Sequence, residues 1–124
     1  MIETNQITKE IIDSAIKVHK KIGPGLLESV YETILMQELR DRQLKVVSQK
    51  YISFEYEGHI FKNAFKIDML VEEAIIVEIK SLEKTLPVHS KQVLTYLKLM
   101  NLPVGLLLNF GAVLMKDGII RVAN

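Results

Sequence analysis

The stretch from Ile60 to Lys80 leaves the chain few folds to adopt. Two runs rich in β-branched and aromatic residues, Ile60 to Val71 and Ala74 to Ser81, flank the polar pair Glu72-Glu73. That pattern is a strand, a tight turn and a second strand. Side chains two apart share a face of a sheet, so Glu78 and Lys80 fall on one side of the second strand and Ile75, Val77 and Ile79 on the other. In the first strand Phe65, Ile67 and Met69 share a face, and Lys66, Asp68 and Leu70 take the opposite one. A hairpin turning about Glu73 sets Asp68 across from Glu78 and Lys66 across from Lys80. The Cβ atoms of the two carboxylates are then about 5 Å apart.

Like charges at that distance repel, and each loses hydration on burial, so the pair needs a counter-ion. A divalent cation supplies it. Mg²⁺ takes oxygen ligands, keeps several waters, and suits one or two carboxylates plus a substrate phosphate. Lys80, one pleat further along, can reach an attacking water or the charge developing on a phosphate. The pattern therefore points to a metal-dependent phosphodiesterase site. The competing reading is a salt-bridge lattice of Asp68, Glu78, Lys66 and Lys80 on the wet face of an antiparallel sheet. These four residues alone do not separate the two.

At 124 residues the chain is long enough for a single domain over 1–124 that needs no disulfide. The absence of cysteine removes thiolate nucleophiles and cysteine-based zinc sites. A formal net charge of +1 gives no global attraction for a polyanion, so any nucleic-acid contact must be local. The N-terminus lacks a basic start followed by an apolar core, and no apolar run is long enough to cross a bilayer. The expected location is cytoplasmic, without membrane association.

Helical periodicity marks Thr8 to Ile22, with Ile11, Ala15, Val18 and Ile22 as its apolar stripe, ended by Gly23-Pro24-Gly25. A second helix follows from Leu27 to Arg42, with Leu27, Tyr31, Ile34 and Leu35 inward. Strands are expected over Val46 to Tyr56, Ile60 to Val71 and Ala74 to Ser81, with a Glu57-Gly58-His59 turn between the first two. Pro87 suits the first turn of a third helix reaching Met100. Leu102 to Asn109 reads as a buried strand, and Val113 to Val122 as a last hairpin around Lys116-Asp117-Gly118. The order α-α-β-β-β-α-β-β describes an α/β chain of the α+β type, a mixed β-sheet flanked by helices. On the third helix Gln92 and Tyr96 lie one turn apart beside the core stripe Val93, Leu97 and Met100. On the second, Glu28 and Tyr31 are neighbours just after the Gly-Pro-Gly turn, where a negative charge also favours a helix N-terminus.

Gly25-Leu-Leu-Glu28-Ser-Val-Tyr31, followed by Asp68, Glu78-Ile79-Lys80 and Gln92-x-x-x-Tyr96, resembles the signature of a small bacterial and archaeal family, the GxxExxY proteins. That family belongs to the PD-(D/E)xK nuclease superfamily. The resemblance runs from Ile11 to Phe110 and includes Val18-His19, Gly23-Pro24-Gly25 and Leu108-Asn109-Phe110-Gly111. It implies a restriction-endonuclease-like core in which Asp68, Glu78 and the backbone carbonyl of Ile79 bind Mg²⁺ or Mn²⁺. Glu28 completes the metal site and Lys80 assists the nucleophilic water. Gln92 and Tyr96 are similar to a helix of RecB-like and lambda-exonuclease-like nucleases that helps hold DNA or the active-site lysine, with Tyr31 in support. Ile67 stands where the superfamily's name has proline, a departure frequent among its members. A histidine at the position of His19 is a metal ligand in some RecB-like nucleases, although a helix-end histidine without that task is the more ordinary reading. His89 is a weaker candidate for phosphate contact, and His59 is expected to be exposed.

The reading that results is a metal-dependent nuclease acting on nucleic acid, with DNA favoured over RNA. Asp68, Glu78, Lys80 and Gln92 are its catalytic residues and Glu28, Asp68, Glu78 and Ile79 its metal site. Two alternatives stay open. One is a nucleic-acid-binding or regulatory module that does not cut. The other is a protein-interaction module, a homo-oligomer formed through Leu102 to Asn109 and Val113 to Val122.

Overall fold

Ile7, Ile11, Ala15 and Val18 recur at helical spacing along α1 (Thr4–Ile22), and Tyr31, Leu35 and Leu39 along α2 (Glu28–Asp41). Each helix thus presents one apolar stripe. In the computed structural model, which describes residues 3–124, both stripes pack on one face of a five-stranded sheet. The strands are β1 (Val46–Tyr56), β2 (His59–Val71), β3 (Ile75–Lys80), β4 (Val104–Asn109) and β5 (Ile119–Ala123), side by side in chain order. β3 and β4 are parallel and the other neighbours antiparallel. The crossover between the parallel pair is α3 (Pro87–Met100), which lays Val93 and Leu97 against the opposite face with Ile52, Ile67, Leu70, Ile76 and Val122. Coverage on both faces explains why β4 is buried at every position and apolar at all but the last, Asn109.

The expected element order stands, and α3 has the expected bounds. Several expectations need correction. Val113 to Val122 is not a hairpin: residues 111–114 form an irregular loop, Met115–Gly118 a 3₁₀ turn, and only β5 is a strand, paired to β4. Ile22 and Leu27 are exposed, Leu27 at 73%, because α1 has reached its end at Ile22 and α2 starts only at Glu28, leaving both on the connecting loop's outer side. Burial of the whole of β4 also removes it as a self-association surface.

The β2–β3 hairpin has the expected register, with Met69 across from Val77, Leu70 from Ile76 and Val71 from Ile75. Glu72 and Glu73 make the turn, both with positive φ, as a primed hairpin turn requires. The pairing stops at Met69 and Val77, so Lys66 does not face Lys80. The face assignment also changes within β2. Met69 and Val71 lie on the α1/α2 side, but Phe65 and Ile67 pack on the α3 side. The switch falls at Asp68, where the β1–β2 ladder skips the rung opposite Gln49, a residue held at φ 51°. The register is the same on both sides of this missing rung, so one residue of each strand, Gln49 and Asp68, leaves the ladder together and the side chains on either side of it face opposite layers; the register itself shifts only further out, between Ile52 and Phe54.

Candidate active site

Two defects in the sheet meet at one point. The β1–β2 ladder lacks the rung between Gln49, which has positive φ, and Asp68, and the β2–β3 ladder ends one rung before Asp68 and Glu78 would pair. Side chains replace the missing backbone bonds. Asp68 Oδ2 accepts the Ile79 N–H at 2.8 Å, and Glu78 Oε1 accepts the Asp68 N–H at 3.3 Å. The alternation of a strand turns the Ile79 carbonyl to the same side as its N–H, beyond the last β2 rung. Ile79 lines a cleft there with Glu28, Ser29, Glu32, Gln49, Lys66 and Asp68.

Glu78 is 6% exposed, and burial, then the neighbouring Asp68 carboxylate, push its carboxyl up to about 9. Lys80, half-buried on the same strand, opposes that shift. Among the described residues none of Asp68, Glu78, Lys66 or Lys80 forms an ion pair; the pairs present link Lys9, Lys17, Lys45 and Arg42 to other carboxylates. The salt-bridge lattice is therefore absent. An all-oxygen set of two adjacent carboxylates and a free-edge carbonyl, one carboxylate buried without a basic partner, matches what a hard divalent cation requires. Among the described residues no three acidic or imidazole side chains stand close enough to enclose an ion unaided.

Glu28, the first residue of α2, is exposed on the rim of the cleft. The loop before it is fixed by Tyr31. This fully buried ring stacks on Phe110 with centroids 4.6 Å apart, and its hydroxyl donates to the Gly23 carbonyl at 2.5 Å and accepts the Leu26 N–H at 3.2 Å. Gly23 and Gly25 have φ of 82° and 106°, a backbone that glycine adopts without strain. Ser81, just past Lys80, donates to the Leu26 carbonyl at 2.6 Å and ties the same loop to the end of β3. Tyr31→Phe should thus cost about 1–3 kcal/mol in urea unfolding, because it strands two backbone groups. It should also slow any reaction that depends on Glu28.

Tyr96 is half-buried on α3, stacked on Phe65 at 4.2 Å, and its hydroxyl pKa is raised by burial and then by Glu78 and Asp68. Gln92, one turn earlier, is exposed and lies outside the residues lining the cleft. The histidines have other tasks. His19 Nε2 bonds the Ala112 carbonyl at 2.8 Å, His89 Nδ1 accepts the Leu86 N–H at 2.9 Å to cap α3, and His59 is exposed as expected.

Three contributors were not anticipated. Gln49 Nε2 donates to Glu32 Oε1 at 2.6 Å and to Asp68 Oδ1 at 3.3 Å, bridging helix and sheet. Glu32, whose carboxyl is raised by burial and by Asp68 against the Gln49 bond, follows Glu28 by four residues, a spacing that signals one helix face. Buried Asn109 clasps the backbone of Leu82 through both its amide atoms at 2.9 Å, holding the segment that leaves Lys80. The clasp needs Gly111, since a Cβ there would overlap the Leu82 backbone.

The family model of the PD-(D/E)XK nuclease superfamily matches residues 5–122. No curated protein sequence matches the chain. Among solved structures, the crystal structure of SSO0001 is similar, with a TM-score of 0.56 and 19% identity over 96% of this chain. This chain spans 59% of that one, and the likeness shows a shared fold. The mixed sheet flanked by helices is the restriction-endonuclease-like architecture. With a family match over nearly its whole length, the chain belongs to the PD-(D/E)XK nuclease superfamily.

Proposed function

We propose that this chain is a divalent-metal-dependent nuclease that hydrolyses phosphodiester bonds in DNA, in the GxxExxY branch of its superfamily and in the cytoplasm. The observation that carries the reading is the placement of Asp68 and Glu78: two carboxylates in contact, one of them buried, without a basic partner among the described residues, at a break in the sheet. Among the described residues no helix is long and apolar enough to cross a membrane. Both cores are built on one sheet, which supports treating 1–124 as a single domain, Met1 and Ile2 lying outside the described residues.

Asp68, Glu78 and the Ile79 carbonyl would hold Mg²⁺ or Mn²⁺, with Glu28 reaching in from the rim. When bound, that cation supplies Lewis acidity toward water and phosphate. The protein's own groups do the rest. The Lys80 ammonium orients the water whose oxygen attacks phosphorus and faces the negative charge that grows on the phosphoryl oxygens. The attacking water gives up a proton to solvent as its oxygen bonds to phosphorus, and the leaving oxygen takes one from solvent as its P–O bond breaks. Tyr96 closes the buried side of the carboxylates, Tyr31 fixes the loop that presents Glu28, and Gln92 at the α3 surface meets the substrate.

Labelled single- and double-stranded DNA and RNA, incubated with Mg²⁺, Mn²⁺ or EDTA, test the reading. Products are expected with either metal on DNA and none in EDTA. Cleavage that persists in EDTA, or no cleavage of any substrate, would overturn it.

A further inference from the structure

β2 pairs with β3 only from Met69 to Val71, so beyond Asp68 the β1–β2 hairpin continues as a two-stranded arm. Every residue from Glu55 to Ala64 is exposed. An isolated two-stranded ribbon is marginal in water, yet this one displays Tyr56, Ile60 and Phe61 to solvent. Its base is firmly held, because Ile52 and Phe65 pack toward α3 and Phe65 stacks on Tyr96. On the other face of the base, Tyr51 is paired with Lys66 and is 61% exposed, and the Lys66 ammonium lies 5.7 Å from the centre of its ring. Lys66 also lines the carboxylate cleft. A flat ring, an ammonium and the cleft therefore form one continuous surface.

We infer that the base of this arm is a platform for unpaired nucleotides, with Tyr51 stacking a base and Lys66 taking the adjoining phosphate as the strand enters the cleft; the inference rests on the nuclease reading and names its substrate as single-stranded. The charges favour this occupant. The cleft carries Glu28, Glu32 and Asp68, and a phosphate chain approaching them needs a cation at the entrance, which Lys66 provides, with exposed Lys62 further out on β2. Glu55 and Glu57 turn phosphates away from the arm's tip and confine the strand to its base. The ring selects among nucleic acids. Bases in a duplex are stacked on one another and offer no ring face along their length, whereas a single strand offers one at every base.

Binding of a short fluorescent oligothymidylate, and of a blunt duplex of the same length, measured by anisotropy in EDTA, tests the platform. Tyr51→Ala should weaken single-strand binding roughly 5- to 150-fold, the range of one base–aromatic stack, and Tyr51→Phe should restore it. Lys66→Gln should flatten the dependence of log affinity on log salt by about 0.7 for the lost phosphate contact. Melting temperatures should stay at the wild-type value. Undiminished single-strand affinity in Tyr51→Ala, or an equal loss on duplex, would overturn the platform. So would arm variants that dissociate a dimer in sedimentation without changing single-strand affinity, since the arm would then serve self-association. Because binding is read without turnover, failure of metal-dependent cleavage would sink the nuclease reading and unchanged binding would sink the platform, each without the other.

Discussion

Glu78→Ala and Lys80→Ala should each leave a folded protein whose cleavage rate with saturating Mg²⁺ is lower by about 10³-fold or more, since losing one preorganised charge-stabilising group already costs about 10²–10³. The two losses have different origins. Glu78 is one of the two adjacent carboxylates of the oxygen set, where it would be a cation ligand, and truncation removes that group while leaving Asp68. Lys80 forms no ion pair among the described residues, so its removal disturbs no structural bridge, and the loss expected on its truncation is that of a charge beside the reacting phosphate. Stability should barely fall in Lys80→Ala, because Lys80 is half-buried at a strand end, whereas Glu78→Ala removes the acceptor of the Asp68 N–H and should cost about 1–3 kcal/mol without unfolding the protein. Single-turnover rates with circular dichroism on the same samples decide the matter. Full activity in either variant, with metal present, would show that the chemistry lies elsewhere.

The juxtaposition at the heart of that prediction was legible in the sequence, and the reason is the turn. Glu72-Glu73 between two β-patterned runs fixes the hairpin register, and register alone brings Asp68 beside Glu78. Pro87 and the apolar spacing of Val93 and Leu97 likewise sufficed for α3. The local deformation that makes a cleft was not legible. Strand alternation puts Ile67 and Met69 on one face, and the structure separates them because Gln49 adopts a left-handed conformation without being glycine, which no propensity signals. The same local deformation conceals the bridge from Gln49 to Glu32 and Asp68, which joins residues far apart in the chain. Asn109 was visible only as part of a family pattern. Its purpose, clasping Leu82 behind Lys80, depends on the parallel pairing of β3 and β4, which a crossover connection permits but local sequence does not specify. His19 and His89 illustrate the converse, for chemistry-bearing side chains on a matching pattern are used here for loop and helix capping.

In the absence of divalent metal the protein should become less stable as the pH rises from about 4.5 to about 9, and added Mn²⁺ or Mg²⁺ should reverse the trend. The folded state holds the Glu78 carboxyl up to about 9, against an ordinary 4.5, through burial and the adjacent Asp68. Between those values the native protein keeps a proton that the unfolded chain releases, so unfolding is favoured by each increment of pH. One such proton corresponds to a slope of up to about 1.4 kcal/mol per pH unit. Glu32, also raised by burial, adds to the slope in the same direction, whereas Glu38, held low by its bond to Lys17, acts only at more acidic pH. Glu78→Gln keeps the shape and cannot ionise, so it should flatten most of the profile and leave the smaller Glu32 contribution. Metal acts with the opposite sign, because a bound cation requires the carboxylates ionised and competes with the proton. At a hundredfold excess over its dissociation constant a cation stabilises by about 2.7 kcal/mol, more readily at pH 8 than at pH 6, and the gain should vanish in Glu78→Gln. Urea titrations across this pH range in EDTA and in Mn²⁺ measure all of these terms. A flat wild-type profile in EDTA, or equal stabilisation by Mn²⁺ in wild type and Glu78→Gln, would mean that the Asp68–Glu78 pair is not where the cation binds.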